Sequence, residues 1–312
     1  MAGKATTIDQ QIKILTDRGV KINDVDKAKE VLLDIGYYRL GFYFYPFELS
    51  YPHLDDKRGH EVIPGTKFED AVNLYYFDFD LRNILLRYTS RIEVAFRTYV
   101  VYYMSNKYSN NPTWFVDRRI LNNTFVKDIK EKYTDIQKNP VIERHHKKHA
   151  CNYAPAWKTL EFVTMGSMQK LFEALKCRDD QVAIIRHFNI RKIGTFISYI
   201  DTIRRLRNAC AHGTLLYDIT LSLPIAGGPA VKGSNPARQR LSGIVDVAKY
   251  MLMQISENRA NDLWTDLYKC FDDLFKKNPS LKSTVEKTTL IDFEKFLAVN
   301  TKNNENTLQN KK

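Results

Sequence analysis

Arg207 and His212 stand five positions apart in the stretch RNACAHG, with Asn208 directly after the arginine. An imidazole exchanges a proton near neutral pH, and a guanidinium is a fixed cation whose planar fork fits a phosphate. Side by side, the two suffice for metal-independent RNA cleavage. The 2′-hydroxyl would lose its proton to His212 and attack the adjacent phosphorus, while Arg207 stabilises the negative charge that develops. Asn208 would hydrogen-bond the phosphate or hold His212 in orientation, or else only cap or bury a backbone contact. Projected at about 100° per residue, Phe196, Ile200, Ile203, Leu206 and Cys210 form one apolar stripe of a helix, and Arg207 falls inside it. A guanidinium there is costly to desolvate unless it is paired or faces a polar cleft. Arg204 falls on the flank of the stripe, and Arg205 points to solvent. On a continuous helix Arg207 and His212 would be about 140° apart. They converge on one substrate if the helix ends near Ala211, which Gly213 permits, or if the second copy of a symmetric dimer supplies the facing group.

A second cluster, HHKKHAC, brings His145, His146, His149 and Cys151 together, and His145 with His149 is an i,i+4 pair. No further Cys or His group completes a tetrahedral site, and Lys147 and Lys148 would repel a cation. The spacing therefore predicts no metal. The chain has no GxGxxG, P-loop or GxSxG pattern and no internal repeat, so no cofactor is expected either.

The net charge of +12, from 48 Lys/Arg against 36 Asp/Glu, is concentrated in three windows: Asp117 to His149, Lys176 to Arg207 and Leu223 to Gly243. Their excesses account for all of it, and the rest of the chain is balanced. Clustered cations that displace condensed counterions point to a polyanion, RNA above all, with affinity that falls steeply with salt. The candidate RNA contacts are Arg204, Arg205, Lys147, Lys148, Lys232, Arg238 and Arg240. The competing readings are a non-catalytic RNA-binding protein, and a protein-interaction bundle in which Arg207 is an internal ion-pair partner.

The elements that must position these residues read as helices. Gly and Pro, 13 and 10 of 312 residues, are scarce, which disfavours a loop-rich all-β chain. At 44% hydrophobic residues, the chain can bury enough surface to offset its ordering entropy. An N-terminal helical segment (1–66) carries GYYRLGFYFYPFEL, an aromatic block whose density signals packing, followed by an exposed loop from Ser50 to Gly65. A long scaffold helix (67–109) is free of Gly and Pro; its Glu93 and Arg97 are in favourable i,i+4 order, and Arg82, Arg87 and Arg91 read as its solvent side. A basic polar excursion (110–154) precedes amphipathic core helices (155–222) that carry Arg207 and His212. Then come a mobile, basic Gly/Pro-rich loop (223–243), C-terminal helices (244–299) and a disordered tail (300–312). No apolar run approaches the roughly 18 residues of a membrane span. The start of the chain lacks a secretory pattern and the four cysteines are far apart, so a reducing cytoplasm is the expected setting.

RNACAHG resembles the R-x4-6-H signature of HEPN-domain ribonucleases. Three further blocks, LLDIGYYRLGFYFYPFE, FDFDLRNILLRYTSRIEVAFRT and PAWKTLEFVTMGSMQKLF, resemble the Abi-like abortive-infection proteins of bacteria, of the AbiD/AbiF type. The resemblance spans about Gly36 to Leu216. It implies an all-α, HEPN-type helical bundle and a homodimer that brings two Arg/His motifs into one cleft. It also implies a toxin-like endoribonuclease in anti-phage defence, associated in some members with a small structured non-coding RNA. Arg207 and His212 match the catalytic positions and Asn208 the polar residue that follows the arginine. Gly213 departs from the pattern, standing where many relatives have a second histidine, and the Gly/Pro-rich segment after Tyr217 is longer than the family leads one to expect.

Overall fold

The stretch without Gly or Pro forms one helix, α4 (Phe68–Lys107), of forty residues, about 60 Å at helical rise. The Lys67 N–H donates to Asp70 Oδ2 at 2.8 Å, and the acidic first turn suits the positive helix end. Tyr108 ends the helix by donating its N–H to the Met104 carbonyl at 2.9 Å. Leu74, Leu81, Leu85, Ile92, Phe96, Val100 and Met104 are all buried along it. It is the central post of the molecule, a computed structural model that describes residues 5–52, 58–232 and 236–294. The tail expected over 300–312 lies outside the described residues.

Thirteen α-helices are formed among the described residues, with no strand and three isolated bridges, so the fold is all-α. Ahead of α4 come α1 (Ile8–Asp17), α2 (Val25–Ile35) and α3 (Tyr37–Phe44). Thr7 caps α1 in a reciprocal capping box with Gln10, and Asp24 caps α2. After α4 follow α5 (Asn123–Ile136), α6 (Pro140–Lys148), the short α7 (Ala156–Thr159), α8 (Met165–Ala174), α9 (Arg178–His187) and α10 (Ile193–Ala211). The chain closes with α11 (Leu241–Met253), α12 (Glu257–Lys277) and α13 (Leu281–Thr289). Helices α3, α10, α11 and α12 pack on α4. No described helix is long and apolar enough to cross a membrane.

The apolar stripe of α10 is the buried one. Phe196 sits among Phe96, Phe172 and Phe188 with ring centroids 5.7, 5.0 and 5.3 Å away. A ring buried in this way is worth about 3–5 kcal/mol relative to alanine. It fixes α10 against the middle of α4.

Five details differ from the sequence expectation. Arg82 is not on a solvent face: it is buried and ion-paired to Asp78, one turn earlier on α4. Arg87 is exposed but pairs with Asp266 of α12. The stretch expected as an exposed loop after Ser50 returns to the body, because Leu49 N donates to Glu61 O at 2.9 Å, Ile63 N donates to Phe47 O at 2.8 Å, and Val62 is buried. The Gly/Pro-rich segment is likewise anchored where it is described. Ile225 and Val231 are buried, and Ala230 N donates to the Tyr199 hydroxyl at 3.1 Å. The polar 110–154 stretch also docks, through Phe125, Val126, Ile129, Tyr133 and Ile142.

Candidate active site

The end of α10 carries the chemistry. His212 is its C-cap, at φ −97 and ψ 7, and its N–H donates to Asn208 O at 2.9 Å. Gly213 follows at φ +69, in the left-handed region. Thr214 N donates to Ala209 O at 2.9 Å, and Gly213 N donates to Cys210 O at 3.4 Å. This is the paired 6→1 and 5→2 arrangement of a Schellman cap, in which glycine at C′ costs least. It accounts for Gly213 at the position where the family pattern leads one to expect a histidine: a Cβ would have to adopt an unfavourable φ. The helix therefore stops at Ala211, and the left-handed Gly213 turns the chain away directly after His212.

Arg207, Asn208 and His212 line one cleft of about 550 Å³ together with Glu93, Glu161, Arg204 and residues 162–166. The Arg207 side chain is 39% exposed, and its Nε lies 3.4 Å from Glu93 Oε2, an ion-pair contact without hydrogen-bond alignment. Its Nη1 is 3.4 Å from Asn208 Oδ1. The side chain of Asn208 thus touches the arginine, while the hydrogen bond from His212 goes to the Asn208 backbone. Glu93 also receives Arg97 Nη2 at 3.0 Å, and the same Nη2 donates to Val163 O at 2.9 Å. Arg97 Nη1 stands 3.7 Å from Glu161 Oε1. The apolar stripe tolerates Arg207 because a carboxylate lies on one side of it and an open cleft on the other.

Arg204, also on the cleft, donates from Nε to Gln169 Oε1 at 2.9 Å and pairs with Asp201. Asp201 also accepts from Arg205 Nε at 2.6 Å. Burial works against the Asp201 charge, but the hydrogen bonds from Arg205 and Arg204 outweigh it and hold the carboxyl below the usual range.

The segment behind His212 is held by a residue the sequence reading did not single out. Asp78, fully buried on α4, accepts Leu216 N at 2.9 Å and Tyr217 N at 2.8 Å on Oδ1. Its Oδ2 takes the Tyr43 hydroxyl at 3.0 Å and Arg82. Burial pushes the Asp78 carboxyl up, against the pull of Arg82 and the two amides. Burial also disfavours the Arg82 cation, yet Asp78 and Tyr43 more than offset this. With four donors converging on one carboxylate, we assign the pair as ionised. Only the i,i+4 spacing of Asp78 and Arg82 signalled this in the sequence, and it does not say which way the pair faces.

The remaining sequence-predicted RNA contacts lie outside the cleft. Lys147, on α6, pairs with Glu143 at 3.0 Å, and Lys148 is exposed. Lys232 is exposed, Arg238 Nε donates to Ile225 O at 2.6 Å, and Arg240 pairs with Asp218 at 2.7 Å. The Arg238 bond thus braces the Gly/Pro-rich segment internally, and Arg240 ties it to the body. Cys151 Sγ is 3.6 Å from His145 Nε2 and 3.8 Å from His146 Nδ1. The His145 imidazole is pushed toward its neutral form by burial and by Lys158, His149 and His146. Among the described residues no group of three or more His, Cys, Asp or Glu is placed to hold a metal ion.

No protein of curated description and no solved structure matches the chain. The family model described as "Abi-like protein" matches residues 30–218, more than half of the chain, from α2 through the hydrogen-bonded segment behind His212. That span holds the aromatic α3, the central α4, α8 and the Arg207/His212 cleft, and by it this chain belongs to the Abi-like protein family.

Proposed function

We propose that this protein is an abortive-infection toxin of the HEPN type, a metal-independent endoribonuclease. In this reading it works in the cytoplasm as a homodimer and is held in check by a small structured RNA. One observation carries the catalytic part: Arg207, Asn208 and His212 line a single cleft, with Arg207 half-exposed between Glu93 and solvent. The phosphate binds the outward edge of Arg207. His212 takes the proton of the 2′-hydroxyl, the 2′-oxygen attacks phosphorus as the bond to the 5′-oxygen breaks, and the 5′-oxygen leaves with a proton taken from water, giving a 2′,3′-cyclic phosphate end. Arg204, at the rim of the same cleft, meets the neighbouring phosphate. Lys148 and Lys232 extend the contact along the strand.

The test is cleavage of labelled cellular RNA by the purified chain in the presence of a metal chelator. Arg207→Ala and His212→Ala are each expected to lower the rate by about 10²-fold or more, to relieve growth inhibition and to leave the oligomeric state unchanged. Cleavage undiminished in His212→Ala defeats the mechanism. The Arg207–Glu93 contact also favours a second reading, in which Arg207 is an internal ion-pair partner in a protein-interaction bundle. A preparation whose 260/280 nm absorbance shows no nucleic acid, and which has no nuclease activity, supports that one.

A further inference from the structure

The aromatic block has no part in the chemistry proposed above, yet its helix reaches the catalytic segment. Arg39, on α3, donates from Nη1 to the Gly213 carbonyl at 3.1 Å, across 174 positions of sequence. Its guanidinium spreads over Gly213. A Cβ built there would stand 3.4 and 3.5 Å from the two Nη atoms, in van der Waals contact with the guanidinium. Two further bonds run the same way: the Tyr217 hydroxyl donates to Phe42 O at 3.0 Å, and Tyr43 donates to Asp78, which accepts the Leu216 and Tyr217 amides. Helix α3 thus fastens the chain on both sides of the turn that follows His212.

This matters because His212 has little else to hold it. It is exposed, and its imidazole makes no hydrogen bond to any described residue. Its position is set through its backbone, by the cap at Asn208 O on one side and by the Gly213 peptide on the other. A cation on the Gly213 carbonyl also sits at the negative end of α10, where the helix dipole favours it.

We infer that Arg39 is a positioning residue for His212, holding the Gly213 peptide so that the imidazole is presented to the cleft. The inference rests on the proposed catalytic role of His212. Arg39→Ala is expected to lower kcat for RNA cleavage about tenfold, short of the roughly 10²-fold that a 1 Å misplacement can cost. KM and the melting temperature should stay as in the unaltered chain, and Arg39→Lys, which keeps one donor, should recover most of the rate. Independently of activity, the His212 imidazole NMR signal should shift or broaden in Arg39→Ala while those of the six other histidines stay put. A kcat within twofold of normal while His212→Ala is inactive overturns the inference and leaves the nuclease reading intact. So does a rise in KM alone, which would make Arg39 an RNA contact, or a rate loss matched by a lower melting temperature and not restored by lysine. If His212→Ala cleaves normally, the underlying reading fails, and the NMR signal alone then decides whether Arg39 orders the turn.

Discussion

Helix α4 carries two acid–arginine pairs of the same spacing, Asp78/Arg82 and Glu93/Arg97, and the two have opposite characters. Both reach toward the end of α10. At the first, every side is closed: Asp78 is fully buried and takes donors from Arg82, Tyr43 and the amides of Leu216 and Tyr217. At the second, Glu93 is shared by Arg97 and Arg207, the Nε atoms of both arginines have no hydrogen-bond partner, and the cleft opens alongside. A saturated buried pair has nothing left to give a ligand, so it fixes structure. The two Nε atoms are themselves buried, so what an open cleft leaves for a phosphate is the exposed part of the Arg207 guanidinium and its charge, only loosely engaged by Glu93.

The largest effect should come from opening the closed pair. Asp78→Ala leaves Arg82 buried without its counter-ion and two backbone amides without an acceptor. Breaking such a pair by removing one partner costs about 3–5 kcal/mol. Urea denaturation should show that loss as a lower midpoint, with RNA cleavage falling in step as the segment behind His212 loosens. A stability within about 1 kcal/mol of the unaltered chain would mean that the pair is not the closed lock its geometry describes.

A change at the open pair should separate stability from function. Glu93→Gln keeps the shape, can still accept from Arg97, and removes the charge competing with phosphate for Arg207. We expect a smaller loss of stability than from Asp78→Ala, because the amide oxygen keeps the Arg97 hydrogen bond, RNA affinity to rise a few-fold, and kcat to fall as Arg207 loses its fixed bearing. Equilibrium binding of RNA to the His212→Ala background, beside kcat of the single variant, reads the two apart. If Glu93→Gln destabilises as much as Asp78→Ala, the contrast between the pairs is wrong.

The contrast also explains what the sequence could and could not reveal. The apolar stripe of α10 was legible because five residues at helical spacing leave little choice of buried face, and Arg207 within it announced a polar neighbour. The end of α10 at Ala211 was legible from Gly213, since the left-handed turn it permits is a local property. Glu93 as that neighbour was not legible, because the contact joins residues more than a hundred positions apart on helices whose relative rotation is set by packing around Phe196. Arg82 failed for the same reason. A surface arginine and a buried one look alike until the partner helices are placed, and Asp78 finds its amides on a segment that no periodicity ties to α4. Within the core helices expected over 155–222, the apolar spacing of AWKTLEFVTMGSMQKLFEALK would make one continuous helix. Thr164, whose hydroxyl accepts from Ser167 N at 3.2 Å, instead starts a new helix.

The smallest effect belongs to the rim of the open site, where Asp201 holds Arg204 and Arg205. Its carboxyl is depressed: burial alone would raise it, and the two arginine hydrogen bonds overcome that. A carboxyl whose folded pKa lies below its unfolded value of about 3.9 contributes stability in full above that value, and the contribution disappears as pH falls through the folded pKa. The window therefore lies in acid, below about pH 4, and nothing from this group should be seen between pH 6 and pH 8. The pairs are i,i+3 and i,i+4 on a partly exposed face, so each is worth only about 0.3–0.5 kcal/mol. Asp201→Asn should flatten the acid limb of stability by that small amount and, by releasing two arginines beside the cleft, strengthen salt-sensitive RNA binding at neutral pH. Chemical denaturation at pH 3 and pH 7, with RNA binding at two salt concentrations, checks both. Unchanged RNA affinity would place Arg204 and Arg205 with the closed pair, as structure, and confine the open site to Arg207 and its neighbours.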